Sequence, residues 1–259
     1  RRLPSMQGSH NLKDASNLKV ALCPKQFRKL RLIKKNVFTN IMTEYEFGYP
    51  DPISCMGCAP GQYVQIRFED PDNGVLTRYI SPTTDPKKPG SFTVVLKHLS
   101  GCLSKYFRSL TVGQEVEFRG PVGGIEYQPN QWDCLIMISP GICLTPMMQI
   151  MRCIRDNLND FTHVVLLYYA DHIMDFLYKD ELDDLKRFDP RFEITFFLGH
   201  DEVGWDGEKG NLDYNAIRSH CPRPDNICFL KVIMCGGPDF LRTMLEAFHM
   251  LDYPKESLY

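Results

Sequence analysis

Long hydrophobic runs are missing from this chain of 259 residues: no stretch approaches the ~20 consecutive apolar residues that span a bilayer. The apolar core of a secretory signal is missing as well. The chain opens on Arg1 rather than Met, which leaves room for an anchor or a further domain upstream. Charge of one sign is scarce. The net charge is −2 and the basic residues gather only between Lys25 and Lys35, so nucleic acid is not expected as a partner. There is no internal repeat and no low-complexity segment. A second C-x-x-C is also absent. Cys55-Met56-Gly57-Cys58 stands alone in a Pro/Gly-rich connection, half a zinc site without a His at matching spacing, and not at the helix start a redox motif would occupy. Two loop thiols are the favoured reading there. The chain has ten cysteines, but Cys134, Cys143, Cys153 and Cys235 sit in or beside apolar runs, where a thiol packs as a small hydrophobe. That placement argues against a disulfide framework and fits a reducing, intracellular compartment.

What is present suffices for a core, with 43% hydrophobic and 24% charged residues, in one large domain or two ordinary ones. Residues 1–29 are polar and turn-rich and read as an N-terminal extension. From there to residue 130 the texture is short β-like runs broken by Gly, Pro, Asn and Asp: Lys29–Ile33, Ile41–Phe47, Gln62–Phe68, Thr77–Ser81, Ser91–His98 and Glu115–Arg119. With one short helix near Ser104–Leu110, this spacing predicts a small antiparallel β-barrel over residues 30–130. After Gln128-Pro129-Asn130 compact apolar strands alternate with helical stretches. The strands are Leu135–Ile138, Val164–Tyr169, Ile194–Leu198 and Leu230–Met234; the helices are Pro146–Asp156, Phe176–Phe188, Asp213–Ser219 and Phe240–Met250. That alternation predicts a parallel, doubly wound α/β domain over residues 131–259.

Five short motifs carry chemistry. Arg78-Tyr79-Ile80-Ser81-Pro82 puts a guanidinium fork and a hydroxyl where a strand runs into a turn, suited to a pyrophosphate or, alone, to a surface ion pair. Ser100-Gly101-Cys102-Leu103-Ser104 enters a short helix that Ser104 could cap, a second anion seat or an ordinary cap. Gly120-Pro121-Val122-Gly123-Gly124 turns the chain and could let backbone approach a ligand. Ser139-Pro140-Gly141 ends an apolar strand, and Thr145-Pro146 then opens a helix, with Thr145 as N-cap and Pro146 at its first position. Cys235-Gly236-Gly237-Pro238 follows an apolar strand at the end where open α/β sheets bind ligands; a buried Cys before a turn is the alternative.

In this order the motifs resemble the ferredoxin–NADP reductase superfamily, and within it the NADH–cytochrome b5 reductases and their reductase-like relatives. Supporting stretches are Pro60-Gly61-Gln62-Tyr63, Lys179-Asp180-Glu181-Leu182 and Leu251-Asp252-Tyr253-Pro254-Lys255-Glu256. The resemblance implies a FAD-binding barrel followed by an NAD(P)-binding domain. FAD would be held by Arg78, Ile80, Ser81, Gly101, Leu103 and Ser104, with Lys97 near the flavin. Gly141, Thr145 and Pro146 would frame the pyrophosphate of NADH or NADPH, and Cys235 and Gly236 would position the nicotinamide. The activity implied is hydride transfer from NAD(P)H to FAD and electron delivery to a haem protein such as cytochrome b5. The setting implied is the cytoplasmic side of the cell, associated with the endoplasmic reticulum or mitochondrial membrane through a segment this sequence lacks.

The chain departs from the family at several positions. Ile80 stands where the family has a flavin-stacking Tyr, and His98-Leu99 replaces an expected aromatic. Gly141-Ile142-Cys143 replaces Gly-Thr-Gly, so Cys143 is strained or the turn rearranged if a positive φ is needed there. Leu198-Gly199-His200 stands in place of an acidic residue favouring NADH, with Asp201 as a substitute after a loop shift. Retained Arg78, Ser81, Lys97, Ser104 and Cys235-Gly236 favour an active reductase. Ile80 and Cys143 favour the alternative, a degenerate reductase fold serving as a non-catalytic interaction module.

Overall fold

The computed structural model describes residues 19–259. Most of the predicted N-terminal extension, residues 1–18, lies outside the described residues. Its remainder is not loose: Ala21 and Leu22 are buried in the first core, and Val20 forms a parallel bridge to Cys55.

Six strands form an antiparallel sheet: β1 (Arg28–Val37), β2 (Met42–Gly48), β3 (Val64–Asp70), β4 (Gly74–Ile80), β5 (Ser91–Lys97) and β6 (Glu115–Arg119), in the order β4-β3-β6-β1-β2-β5. Alternation drives the curl. In β3, Val64, Ile66 and Phe68 point into the core, while Arg67 points out and pairs with Glu117 through two hydrogen bonds of 2.6 and 3.0 Å. The core is aromatic, with Phe47, Phe92 and Phe118 fully buried and Phe118 in edge-to-face contact with the other two. Helix α1 (Cys102–Ser109) supplies Phe107 to it. The free edges, β4 and β5, meet at one end through a bridge between Pro82 and Val94, and the barrel closes there.

The second sheet is parallel, in the order β10-β9-β8-β7-β11: β7 (Cys134–Pro140), β8 (His163–Ala170), β9 (Phe192–Leu198), β10 (Glu208–Lys209) and β11 (Leu230–Met234). Strand β7 is apolar from Cys134 to Ile138 because both its faces are covered. Leu135 and Met137 pack with α2 (Thr145–Asp156) and α3 (Lys179–Phe188), while Ile136 and Ile138 pack with α4 (Tyr214–His220) and α5 (Pro238–Met250). From β7 the chain winds outward to β8, β9 and β10, then returns to β11 on the other side. The strand order therefore reverses between β7 and β11, and the carboxyl ends of these two strands are where open α/β sheets bind ligands.

The two sheets are joined by specific contacts. Val95 of β5 and Tyr127 belong to the core beneath α2. Arg152 donates to the Thr83 carbonyl at 2.7 Å, and the Gln149 amide oxygen accepts from the Gly61 N–H. Tyr178 sits in the left-handed region at φ 56, just before α3, and donates its hydroxyl proton to Glu44 of β2. That conformation is uncommon for a non-glycine residue, and here it aims the ring across the interface. It also explains why α3 begins at Lys179 and not at Phe176 as periodicity predicts.

Candidate functional site at the junction of the two sheets

The barrel is open where β4 and β5 part. Continuing the register of the Pro82–Val94 bridge sets Ile80 level with Leu96 and Arg78 level with His98, yet these strands do not pair there. A seam results, with Arg78, Ile80 and Ser81 on one lip and Lys97 on the other. Arg78 is exposed, and its guanidinium makes one hydrogen bond, to the Thr77 carbonyl. Ile80 is buried at 8% exposure, an aliphatic surface where the family presents an aromatic.

The α1 turn closes the end of the seam next to Lys97. Gly101, and not Ser104, is the N-cap, and no side chain caps this helix. Ser104 instead lies inside the first turn, where its hydroxyl accepts from the Leu99 N–H at 3.2 Å and donates to the Lys97 carbonyl at 3.4 Å. The expected cap is therefore a tie between α1 and the end of β5. Leu103 packs against the barrel core. The first turn of α1 holds no acidic residue of its own, although the Asp70 carboxylate at the end of β3 accepts from the Cys102 side chain at the helix start.

On the α/β side the turn after β7 differs from the sequence expectation. Gly141–Leu144 forms a 3-10 turn that runs straight into α2, so Leu144 is the N-cap and Thr145, already helical at φ −53 and ψ −46, cannot be one. Pro146 sits within the first two helical positions, where its missing N–H costs nothing. Gly141 takes φ 50, the left-handed value that glycine tolerates, whereas Cys143 has no positive φ. The rearranged turn, not a strained cysteine, accommodates the loss of the family's second glycine. The turn lies beside β5. Behind it, the buried Ser139 hydroxyl at the end of β7 and the Gln149 side-chain N–H group have no protein partner.

Cys235 follows β11, and its N–H donates to the Ile138 carbonyl at 3.2 Å. The half-buried Cys143 and Cys235 side chains hydrogen-bond each other across the crevice. The Cys235 S–H donating to Cys143 pulls the Cys143 thiol below its ordinary range and pushes the Cys235 thiol above it. Gly236 is held against the Phe240 ring, which any added Cβ would strike at 2.3 Å. At the far end of the crevice His200 stacks on His172 at 4.8 Å, and the Asp201 carboxylate is engaged by Lys209 at 2.6 Å.

This donor set suits phosphate-bearing, flat-ringed ligands on both sheets. Two helix starts have no side-chain cap and no acid in their first turn, the Arg78 guanidinium pairs with no carboxylate among the described residues, and glycines stand at the strand ends. Such a site belongs to a flavin- and nicotinamide-binding oxidoreductase. The comparisons with known proteins agree. Residues 29–127 match the family model "Oxidoreductase FAD-binding domain" and residues 137–246 match "Oxidoreductase NAD-binding domain". The chain is 30% identical over 247 residues to NADH–cytochrome b5 reductase 1 of Arabidopsis thaliana, covering 95% of this chain and 87% of that protein. It is 31% identical to the enzyme of the same name from Mycosarcoma maydis, over 93% of this chain and 74% of that protein. The cytochrome b5 reductase domain of Ulva prolifera nitrate reductase superposes with a TM-score of 0.85 at 26% identity, covering 92% of this chain and 98% of that one. A ferredoxin NADP+ reductase from Neisseria gonorrhoeae shares the fold, with a TM-score of 0.72 at 13% identity over 90% of this chain and 97% of that one.

The chain belongs to the cytochrome b5 reductase family of flavin-dependent NAD(P)H oxidoreductases, with FAD and a pyridine nucleotide as its cofactors. Sequence reasoning missed the interface residues Tyr178, Gln149 and Thr83. Their signals were weak: a Tyr before an acidic helix start, a Gln within an apolar helix, and a Thr after the Ser81-Pro82 turn. It read Cys143 as a lost glycine and not as a thiol partner for Cys235.

Proposed function

We propose that this chain passes electrons from NAD(P)H through FAD to a haem protein resembling cytochrome b5, with FAD in the seam of residues 30–130 and the nucleotide in the crevice of residues 131–259. Bound FAD supplies the step from two-electron hydride chemistry to one-electron delivery, and the protein's work is binding and orientation. Arg78 would neutralise charge on the FAD phosphates, with hydrogen bonds from Ser81 and from the start of α1 at Gly101. Ile80, Leu103 and Lys97 line the ring, while Ser104 holds the Lys97–Leu99 backbone in place. Gly141, Thr145 and Pro146 form the positive helix start that receives the nucleotide pyrophosphate. Cys235 and Gly236 would form the floor that receives a nicotinamide. The observation that supports this reading is that the turn Gly141–Leu144, at the carboxyl end of β7, lies against β5, the strand that leads into the Lys97 lip of the seam.

The acceptor is inferred from the relatives named NADH–cytochrome b5 reductase. Among the described residues no helix is long and apolar enough to cross a membrane. We infer an intracellular setting, on the cytoplasmic face of the endoplasmic reticulum or mitochondrial membrane, from the family resemblance and from cysteines placed in apolar runs. The test is an anaerobic absorption titration. Flavin bands should bleach with NADH or NADPH, and oxidised cytochrome b5 added afterwards should be reduced and restore them. Bleaching without reduction of the haem protein would reject the acceptor. Protein that takes up no FAD would reject the reading and leave the interaction module.

A further inference from the structure

Of the ten cysteines, two face each other across a ligand crevice, and the fold brings them there from opposite sides of the strand-order reversal. Strands β7 and β11 are paired in parallel with Met234 opposite Ile138, so Cys235 leaves the sheet beside Ser139. The 3-10 turn Gly141–Leu144 then curls the chain back and sets Cys143 against Cys235. Both thiols are free and half-buried. The other apolar-run cysteines, Cys134 and Cys153, are pushed up to about 12 and about 11, chiefly by burial. Cys143 is shifted the other way by the thiol that donates to it, so it is the more readily ionised of the pair and stands next to its resolving partner.

We propose that Cys143 and Cys235 form a reversible disulfide in response to hydroperoxides, a modification site that closes the nucleotide crevice by pinning the Gly141–Leu144 turn to the end of β11. The inference rests on the reading that this crevice takes the nicotinamide. The chemistry balances in two steps. The Cys143 thiolate attacks the peroxide, the O–O bond breaks, and a proton is taken up to give a sulfenic acid and water, or an alcohol where the hydroperoxide is organic. The Cys235 thiol then attacks that sulfur, forming the S–S bond and releasing a second water. Two thiols are oxidised and one hydroperoxide is reduced. A bridge across the floor withdraws the surface on which a flat ring rests, so the oxidised protein loses nucleotide affinity. Thiol reductants restore it.

The test uses the whole FAD-loaded protein treated with hydrogen peroxide. Mass spectrometry of non-reducing digests should find the Cys143 and Cys235 peptides cross-linked. Calorimetric NAD+ affinity should fall by about tenfold and return with dithiothreitol. Cys143→Ser should show no change in NAD+ affinity on peroxide treatment, whatever its starting value. Recovery of the two residues as free thiols or as separate sulfinic acids overturns the proposal. So does a bridge that leaves NAD+ affinity unchanged. Reduced protein that takes up FAD but binds no nucleotide overturns the functional reading, and this inference with it.

Discussion

His98 shows how one substitution on a ligand-bearing strand changes the behaviour of the protein. It follows Lys97, is 7% exposed, and bonds the Tyr45 hydroxyl through Nε2 at 3.1 Å while Nδ1 has no partner. Burial, and then the nearby Arg108 and Lys35, hold its imidazole below the ordinary range. The unfolded chain, at about 6.5, therefore takes up a proton before the folded one does. Stability is level above pH ~6.5 and declines as pH falls below it. The melting temperature should hold from pH 8 to 7 and drop between pH 6.5 and 5. Tyr45→Phe with His98→Leu, which removes the imidazole without orphaning the hydroxyl, should flatten that drop. The opposite gain is available at Ile80. An aromatic at this lip of the seam should add ~1 kcal/mol of ring contact. Ile80→Tyr is then expected to tighten FAD by about fivefold, measured by flavin fluorescence quenching. Both departures were legible in the sequence, because the motif around them is dense. Their consequences were not, since burial and the partner of a side chain are set by strands distant in the chain.

The strands and helices themselves were largely legible. β6 and β11 fall where alternation and apolar runs place them, because an edge or core strand in a tightly paired sheet keeps its pattern. The misreadings lie at helix starts. Thr145 and Ser104 have the composition of caps, yet a preceding 3-10 turn makes Thr145 helical and a tie to Lys97 occupies Ser104. Capping needs an extended backbone at the cap, which composition does not report. The turn after β7 yields a sharp expectation. A Cβ on Gly141 would meet nothing within 4 Å, so the only penalty there is the left-handed φ of 50. Gly141→Ala should cost ~1 kcal/mol in urea unfolding, and Gly141→Asn less, since Asn tolerates that region. If the two variants cost the same, crowding and not conformation governs the turn.

At the scale of the molecule, the contacts between the two sheets decide whether two ring sites work as one. They were the least legible part of the chain, because each joins residues far apart in sequence. Arg152 is the centre of the joint. It donates to the Thr83 carbonyl of the barrel, pairs with Glu181 at 2.6 Å, and lies over the Tyr178 ring at 4.4 Å. Tyr178 in turn reaches Glu44 and Thr83. Burial works against the Glu181 charge, but Arg152 and Arg155 outweigh it and hold the carboxylate below its usual range. Removing Arg152 leaves Glu181 paired with Arg155 at 2.6 Å, so the α/β half should keep its own fold. What is lost is the link to Thr83 and the platform under Tyr178, together about 2 kcal/mol of a partly buried network. Arg152→Ala should therefore split a single calorimetric transition into two, the halves melting separately as domains with modest interfaces do. Nucleotide should still bind, but reduction of the flavin should slow by more than tenfold, because a displacement of about 1 Å between two reacting groups costs rate out of proportion to its size. A single transition with unchanged flavin reduction would mean that the shared core of Val95 and Tyr127 aligns the rings without the arginine.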